Sequence, residues 1–598
     1  MQELDFDNQT PNIGNVNNDG ERSEPPHKHS AIFLLHGGRF WSSHLLRYTI
    51  YLIAGTAVAA LLVGSMVKLM PRAFTRPVHH VAQVGSRALP PGTTVTKTTA
   101  VLRTSLGTDG VEASWVIDQN KLAGSTAWRI TDTPANTPIK GFANLAYAQD
   151  GQVVRFYVSS DAPTFQVFAY RMGYYGGDGA RLVWTSSQME GVVQPHCSVT
   201  TGINMVACNN WSESFELRLT SGFVQGDYLF KLVGSGNQQS YVPLTIWDPA
   251  STAAYIIKND IFTWQAWNPY GGYDFYTGLG GCPADTYPIC SRARVVSFDR
   301  PYAYGSGAGD FLANEYPLIY WAEEHGLDVT YWTDLTISQH PSLLSQHKAI
   351  LSLGHDECWS LKERQAVENA NRQQGLNVVF FGASPVLRHV RLQASSFGPD
   401  REEVDYRNSQ EDPLYGHGNP LEVTGNTWAS PPASWSGDQF VGETYSGYTL
   451  TGVPAQSFVV ADGSAWIYRN TGLHAGSKIS AVIGSDFDRF DPKLAHSPNV
   501  EILGHSPLPL GKVQTRFAGP GGVTYSDMTY YSDPTSGGGV FDSGTNNWIY
   551  SLRSCISGES SCPSAVVQKM TGNLLWLFGQ GPVGLIKPSV ANYQQFYG

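Results

Sequence analysis

A histidine, two acidic residues and a cysteine follow one another in the segment LSLGHDECWS, residues 351–360. The apolar residues before them predict a buried strand. The residues after them, SLKERQAVENANRQQG, predict a helix that opens with a capping box of Ser360 and Glu363 and closes at Gly375. We therefore expect the four reactive side chains at the carboxyl end of a parallel strand and beside a helix N-terminus, where open α/β sheets bind ligands.

The chemistry of this segment depends on which side chains share a face. In an extended chain, His355 and Glu357 point to one side and Asp356 and Cys358 to the other. Glu357 could then ligate a metal while His355 transfers protons for an attacking water. Alternatively, Cys358 is a nucleophile with His355 as its base, although the alternation points the two apart. A third interpretation is structural, with Asp356 and Glu357 capping the helix and His355 bonded in the turn.

The surrounding sequence predicts the elements that position this segment. The strand-like runs RARVVSFDRPY, LDVTYWTD, HKAILSLGH and LNVVFFGAS alternate with helical ones, of which NEYPLIYWAEEHG begins near Asn314 and ends at Gly326. This alternation predicts an α/β domain over 251–598 with a doubly wound, glutamine-amidotransferase-like parallel sheet. A β-rich extension is expected within it at about 400–530. Short alternating runs over 114–250 predict an immunoglobulin-like β-sandwich.

The N-terminal region has a different composition. Residues 1–30 are polar and Asn-rich, and the tail they predict, disordered and cytoplasmic, is taken to extend over residues 1–46. Residues 47–68 contain YTIYLIAGTAVAALLVGSMV, which has no charge and the length of a single transmembrane helix. Residues 69–113 are expected to form a linker or stalk. The sequence thus predicts a single-pass membrane protein.

The seven cysteines bear on the cellular compartment. Six form three pairs that are close in sequence, and these predict disulfides in an oxidising compartment: Cys197 with Cys208, Cys282 with Cys290, and Cys555 with Cys562. The large C-terminal part is therefore expected outside the cytoplasm. The net charge of −11 excludes a typical nucleic-acid partner.

Several motifs carry a resemblance to a known family. VVSFDRPY, EYPLIYWAEEHGLDVTYWTD, HKAILSLGHDECWS and NVVFFGAS resemble the C-terminal region of the N,N-dimethylformamidase large (beta) subunit family, as do YRMGYYGGDGARLV and GDYLFKLVGSGNQQSYVPLTIWD before them. The amidase of that family hydrolyses a small formamide with one mononuclear iron, held by two tyrosines and one glutamate near a histidine. The resemblance implies that Glu357 is the glutamate, His355 the histidine and Tyr302 of DRPY one tyrosine.

The second tyrosine ligand is expected in TWQAWNPYGGYDFY. The aligned positions there hold Trp264 and Trp267, while Tyr270, Tyr273 and Tyr276 stand close by and are the candidates to substitute. We assign Tyr270 as this ligand.

The resemblance implies a metal-dependent amide hydrolase that acts on a small-molecule amide at a C–N bond. Carboxylate and phenolate are hard oxygen donors that suit ferric iron. The alternative is a non-catalytic surface binding protein that retains the fold. A membrane and a second copy of the chain are the other expected partners.

Overall fold

The computed structural model describes residues 103–130, 139–279, 291–552 and 564–598. The predicted tail (1–46), the predicted anchor (47–68) and most of the predicted linker lie outside these residues. The described residues all belong to one unit of the chain.

The predicted membrane anchor has no counterpart in the structure. Among the described helices, none is both long and apolar enough to cross a membrane. Even the two longest described helices have 14 residues, whereas a bilayer requires about 20. This finding overturns the predicted localisation as a single-pass membrane protein.

The first part of the described chain consists mainly of short strands. Its strands and single helix are β1 (Thr104–Leu106), β2 (Val111–Ala113), α1 (Ser114–Asn120), β3 (Ile139–Ala143), β4 (Tyr147–Ala148), β5 (Val153–Ser160), β6 (Thr164–Met172), β7 (Ala180–Thr185), β8 (Met189–Glu190), β9 (Ser198–Thr200), β10 (Met205–Ala207), β11 (Phe215–Arg218), β12 (Gly226–Gly234) and β13 (Gln239–Ile246).

Most of these strands build two sheets that share a core, while β1 pairs only with β2 and β9 only with β10. One sheet has the order β11-β5-β3, and the other has the order β4-β13-β12-β6-β7 with β8 beside β6. Phe156 of β5 and Phe230 of β12 come from different sheets, and their ring centroids lie 4.8 Å apart in this core. The predicted immunoglobulin-like class is not confirmed, because β4 and β13 pair in parallel, whereas the sheets of that class are antiparallel.

The middle of the chain carries the predicted strand and helix alternation. Its elements are β14 (Tyr255–Asn259), α2 (Ile261–Ala266), β15 (Val295–Ser297), a π-helical turn (Phe311–Glu315), α3 (Tyr316–Glu324), β16 (Val329–Thr333), α4 (Asp334–Gln339), β17 (Ala349–Gly354), β18 (Cys358–Ser360), α5 (Leu361–Gln374) and β19 (Asn377–Gly382).

The capping signals of α5 act as predicted. Ser360 accepts from the Glu363 amide while the Glu363 side chain accepts from the Ser360 amide, and Gly375 ends the helix in the left-handed conformation.

The last part of the chain is β-rich until its final helices. Its elements are β20 (Arg388–Ser395), β21 (Gly398–Val404), α6 (Asp438–Val441), β22 (Thr444–Thr449), β23 (Gln456–Val459), β24 (Lys478–Ile483), β25 (Asp486–Arg489), β26 (Glu501–Pro509), β27 (Val513–Thr515), β28 (Val523–Ser532), β29 (Gly539–Asp542), α7 (Asn547–Tyr550), α8 (Ala565–Phe578) and α9 (Gln594–Tyr597).

The central sheet is mixed, so the predicted doubly wound parallel sheet is wrong. The strand order is β16-β14-β17-β19-β29-β28-β26. The first four ladders are parallel, and the last two are antiparallel. The physical reason is the connection after β19. The chain does not return through a single helix, but runs through β20 to β25 and re-enters the sheet as β26, β28 and β29, whose ladders with one another are antiparallel. The described fold is β-rich with mixed sheets and few helices.

Buried polar contacts join the first part of the chain to the central sheet. Arg171 of β6 forms an ion pair of 2.6 Å with Glu323 of α3, and both side chains are fully buried. Glu323 also accepts from the Tyr331 hydroxyl of β16 at 2.5 Å. Because buried charges are tolerated only when paired, this contact fixes the position of the N-terminal sheets on the central sheet.

Candidate active site

The turn that carries His355 and Glu357 leaves the central sheet at two paired glycines. Gly354 ends β17 with φ +58° and pairs with Gly382, the last residue of β19. A Cβ on Gly382 would lie 1.5 Å from the Gly354 oxygen, and one on Gly354 would lie 2.6 Å from Asn314. Only glycine fits both positions without displacing the backbone. The turn therefore starts at the carboxyl ends of parallel strands, as the sequence predicts.

The Glu357 carboxylate accepts three hydrogen bonds from side chains. Its Oε2 accepts from the Tyr276 hydroxyl at 2.5 Å and from the Trp267 indole N–H at 3.1 Å. Its Oε1 accepts from Nε of Arg388, which opens β20 beside β18, at 2.8 Å. Burial opposes ionisation of this carboxyl, but Arg388 and His355 outweigh it and lower the pKa of Glu357 to about 2. Glu357 is a buried carboxylate at neutral pH.

His355 lies between two carboxylates. Its Nε2 is 3.6 Å from Glu357 Oε2 and 3.1 Å from Oδ2 of Asp486, the first residue of β25. Burial favours the neutral imidazole, but Asp486 and Glu357 raise the pKa of His355 to about 9. The side chains of His355 and Asp486 keep 18% and 22% exposure, against 4% for Glu357. A protonated imidazole therefore faces the open side of the site.

Tyr276 stacks on Trp267 with ring centroids 3.6 Å apart. The guanidinium of Arg407 lies 5.0 Å from the Tyr276 ring centroid, and that of Arg388 lies 5.8 Å from it. Burial, and then the charge of Glu357, raise the pKa of Tyr276 well above its ordinary value. The phenol is thus protonated and donates to Glu357.

Asp356 points away from this site into a buried ionic cluster. Lys258 of β14 contacts Asp356 at 2.7 Å, Glu363 at 3.2 Å and Asp260 at 3.3 Å, and it also pairs with Asp334. Oxygens of Asp260, Asp334 and Asp356 lie within 4.8 Å of one another, a spacing that could hold a metal ion. The Lys258 ammonium supplies a positive charge at this position. Asp356 therefore anchors the turn beneath the site.

Cys358 also lies on the inner side of the turn. It is fully buried and forms no disulfide. Burial, and then the charges of Glu403 and Glu357, raise the thiol pKa well above its ordinary value. Since the thiolate is the nucleophilic form, this environment does not favour the cysteine nucleophile considered from the sequence.

The two tyrosines assigned as metal ligands lie apart from Glu357. Tyr302 packs edge-on against Trp264 at 6.0 Å, and Tyr270 lies under the Lys140 ammonium at 5.3 Å. Burial raises the pKa of both tyrosines. Within the described ranges, neither contacts Glu357, and Tyr276 is the tyrosine that does.

Sequence reasoning missed two residues of the site. Arg388 and Asp486 both come from the β-rich part of the chain. Arg388 follows Glu357 by 31 residues. Neither belongs to a motif, so no sequence signal identifies them. Of the two tryptophans, Trp267 bonds Glu357, whereas Trp264 donates to Glu315 at 2.7 Å.

One predicted disulfide lies within the described residues. Cys197 and Cys208 are bonded, close to the β9–β10 hairpin. The other two predicted pairs each include a cysteine outside the described ranges, so they stay predictions.

Comparisons with known proteins agree with the resemblance. The family model for the N,N-dimethylformamidase beta subunit-like, C-terminal region matches residues 166–563. The match covers more than half of the chain, and the chain belongs to this family. Membership supports an amidase-like role.

The other comparisons add little. No curated protein matches the chain. One solved structure, an uncharacterised protein from Bacillus anthracis str. Ames, is 12% identical, with 20% of this chain and 98% of that chain covered and a TM-score of 0.12. A similarity of that size supports no argument about fold or function.

Proposed function

We propose that the protein hydrolyses the C–N bond of a small amide at the site of Glu357, Tyr276 and His355. The observation that carries the proposal is the convergence of two side chains on one carboxylate oxygen. The Tyr276 hydroxyl lies 2.5 Å, and His355 Nε2 lies 3.6 Å, from Glu357 Oε2. The family supports an amidase-like role, and amide hydrolysis requires a proton donor close to the groups that activate the carbonyl.

Glu357 and Tyr276 fit the iron that the family implies. Both offer hard oxygen donors, and oxygens 2.5 Å apart can bind one cation once the phenol has lost its proton. Iron held there would supply Lewis-acid polarisation of the amide carbonyl. The proposed ligands are therefore Glu357 and Tyr276, and Tyr270 and Tyr302 are no longer among them.

His355 is the proposed proton donor. Its raised pKa of about 9 keeps the imidazole protonated at neutral pH, and its exposed side faces the opening of the site. When water attacks the carbonyl carbon and the C–N bond breaks, His355 gives its proton to the departing nitrogen, which leaves as a neutral amine. The Asp486 carboxylate, 3.1 Å from Nε2, takes the proton of the attacking water and returns it to the imidazole.

Arg388 and Trp267 position the carboxylate. They bond its two different oxygens, at 2.8 and 3.1 Å, and so fix its plane. Trp267 also packs on Tyr276 and holds the phenol toward Glu357.

The first experiment asks whether iron and turnover depend on these residues. The full chain is produced with added iron, and its metal content, its visible absorption and its release of amine from a series of small formamides are measured. Glu357→Gln and Tyr276→Phe are expected to lose the tyrosinate-to-iron absorption band and turnover. His355→Gln is expected to keep the band and lose about 10²–10⁴-fold in kcat.

The matched control is Tyr270→Phe, which also removes a phenolic hydroxyl, but from a tyrosine that does not contact Glu357. It is expected to keep both the band and the activity. Loss of the band in Tyr270→Phe but not in Tyr276→Phe would show that the ligand assignment is wrong. Absence of amine release from all the amides by the iron-loaded protein would contradict the hydrolase.

A second candidate function rests on one specific observation. Arg388 donates to Oε1 of Glu357, and the Trp267 indole donates to Oε2. Both carboxylate oxygens therefore have protein donors, as in a structural ion pair. This arrangement favours a binding protein that retains the fold. In that case, calorimetry detects amide binding by a protein that contains no iron and releases no amine.

A further inference from the structure

A large cleft lies between the N-terminal sheets and the amino ends of the central parallel strands. Its volume is about 710 Å³, within the range of cavities that hold small organic ligands. Ala254, Asp328 and Lys348 line one wall, and they directly precede β14, β16 and β17, respectively. The opposite wall includes Phe223 and Gln225, which come just before β12. We call this cavity the amino-end cleft.

The amino-end cleft is separate from the candidate active site. Lys348 precedes β17 and His355 follows it, so the six residues of that strand lie between them. At about 3.3 Å per residue, this separation is about 20 Å. A small ligand in the amino-end cleft therefore does not contact His355 or Glu357.

Asp328 offers the cleft a buried carboxylate oxygen. The residue is only 6% exposed. Its Oδ2 accepts from the Ala254 amide at 2.8 Å, whereas its Oδ1 has no hydrogen-bond partner in the part of the chain that the structure describes. Burial raises the pKa of Asp328 to about 6, so the carboxyl is mostly ionised at neutral pH. A buried charge is costly unless it is paired, and an ammonium group on a ligand would supply the pair.

Lys348 supplies the opposite charge on the other side of Ala254. Its backbone amide donates to the Ala254 carbonyl at 2.9 Å, and β14 lies between β16 and β17 in the sheet. Because neighbouring strands lie about 4.8 Å apart, the α-carbons of Asp328 and Lys348 are about 10 Å apart. The Lys348 side chain is exposed, and among the described residues its ammonium has no hydrogen bond or ion pair. Since this side chain is long and flexible, it can reach a carboxylate on a ligand that Asp328 holds.

Aromatic side chains form the apolar part of the cleft. Trp115 of α1 is half-buried there, and Phe223 is 6% exposed. Such rings stack favourably with an aromatic ring of a ligand. Gln225 adds a polar group, because its Oε1 accepts from the Thr330 hydroxyl at 2.6 Å while its Nε2 has no acceptor within the described ranges.

We propose that the amino-end cleft binds a free aromatic amino acid as its zwitterion. Asp328 accepts from the ammonium group of the ligand, and Lys348 pairs with its carboxylate. The ring of the ligand lies against Trp115 and Phe223. A ligand with only one charge satisfies only one of the two opposite groups that line the cleft. The proposal does not depend on the amide hydrolysis proposed at Glu357.

The test measures the binding of L-phenylalanine to the full chain by isothermal titration calorimetry and by the rise in Tm. One molecule per chain is expected, with a Tm increase of a few degrees at about 100-fold excess over Kd, because a ligand that binds only the folded state stabilises it. 2-Phenylethylamine lacks the carboxylate, 3-phenylpropanoate lacks the ammonium group and L-alanine lacks the ring. Each is expected to bind at least about tenfold more weakly than L-phenylalanine.

The variants assign the binding to the two charged residues. Asp328→Asn removes the charge but keeps an oxygen that can accept from the Ala254 amide, and Lys348→Met removes the opposite charge. Both are expected to weaken the binding of L-phenylalanine by about tenfold or more. The matched control is Asp150→Asn, because Asp150 also lines the cleft but is exposed, where solvent screens its charge. This control is expected to keep the affinity within about twofold of the wild type.

The outcomes that overturn the proposal are distinct. If millimolar L-phenylalanine neither binds nor raises the Tm of the wild type, the proposal is wrong. It is also wrong if 2-phenylethylamine binds as tightly as L-phenylalanine, or if Asp150→Asn loses affinity while Asp328→Asn keeps it. Should Asp328→Asn fail to fold, Lys348→Met and the three analogues still decide. Glu357→Gln is expected to bind L-phenylalanine as the wild type does, and loss of binding in that variant would show that the ligand occupies the candidate active site instead.

Discussion

Replacement of Lys258 by methionine tests how the turn beneath the active site is held. Lys258 is fully buried and pairs with Asp260, Asp334, Asp356 and Glu363. Lys258→Met keeps most of the side-chain volume but removes the only positive charge that these ion pairs provide. The variant is therefore expected to lose stability and to move the turn that carries Asp356.

The size of the loss follows from the burial of the cluster. Removal of one partner from a buried ion pair costs about 3–5 kcal/mol. Unfolding entropy is about 2 cal/mol/K per residue, which gives about 1 kcal/mol/K for a unit of roughly 500 residues. The expected decrease in Tm is therefore about 3–5 °C.

The loss is expected to depend on pH in a defined direction. Burial already raises the pKa of Asp260, Asp356 and Glu363, and loss of the ammonium raises these pKa values further. The folded variant then binds more protons than the folded wild type, so its stability relative to the wild type falls as the pH rises. The difference in Tm should be smaller at about pH 5.5 than at about pH 8.

The assay is differential scanning calorimetry of wild type and variant at the two pH values and equal scan rates. The double variant Lys258→Met with Asp334→Asn removes one of the stranded carboxylates and is expected to recover part of the loss. A decrease in Tm below about 1 °C, or a difference that grows as the pH falls, would refute the assignment of Lys258 as the charge that holds the cluster.

Three further predictions follow from other buried groups. Glu323→Gln breaks the 2.6 Å ion pair with Arg171, which is expected to lower the free energy of unfolding by about 3–5 kcal/mol and therefore the Tm. The double variant with Arg171→Met should recover much of this stability. If it does not, the ion pair is not the cause of the loss. Because Cys358 is buried with a raised pKa, peptide mapping should find it unlabelled by maleimide until the protein is denatured; labelling of the native protein would contradict its placement. Asp486→Asn removes a carboxylate that stabilises imidazolium, so the pKa of His355 should fall from about 9 toward its ordinary value of about 6.5. An NMR titration measures this pKa, and an unchanged value would rule out the contact.

The local features of the candidate active site could be predicted from the sequence. The strand, the turn and the capped helix around residues 351–375 depend on side chains three or four positions apart, whose geometry the backbone itself defines. Period-two alternation likewise separates His355 and Glu357 from Asp356 and Cys358. The quoted motifs were sufficient to predict the family, which the comparison confirms.

The order of the central sheet could not be predicted from those features. The strands up to β19 are parallel, as their apolar runs predict, but the sheet is completed by β26, β28 and β29 from the distant end of the chain. Periodicity describes one strand at a time and contains no information on which strand becomes its neighbour. The uncharged run between Arg47 and Lys68 likewise predicts an anchor only from its own length and composition.

The tertiary structure alone decides which side chains meet Glu357. Tyr276 lies 81 residues before it and Arg388 lies 31 residues after it, so their contacts depend on the packing of whole strands rather than on local spacing. Four tyrosines near the expected positions are equivalent in the sequence, and only the fold brings one of them within 2.5 Å of the carboxylate. The sequence by itself determined the carboxylate and the histidine, because two residues of one turn cannot separate. The packing of the strands decided which residues contact them, because a buried charged group must form hydrogen bonds and only the fold determines which donors lie within reach.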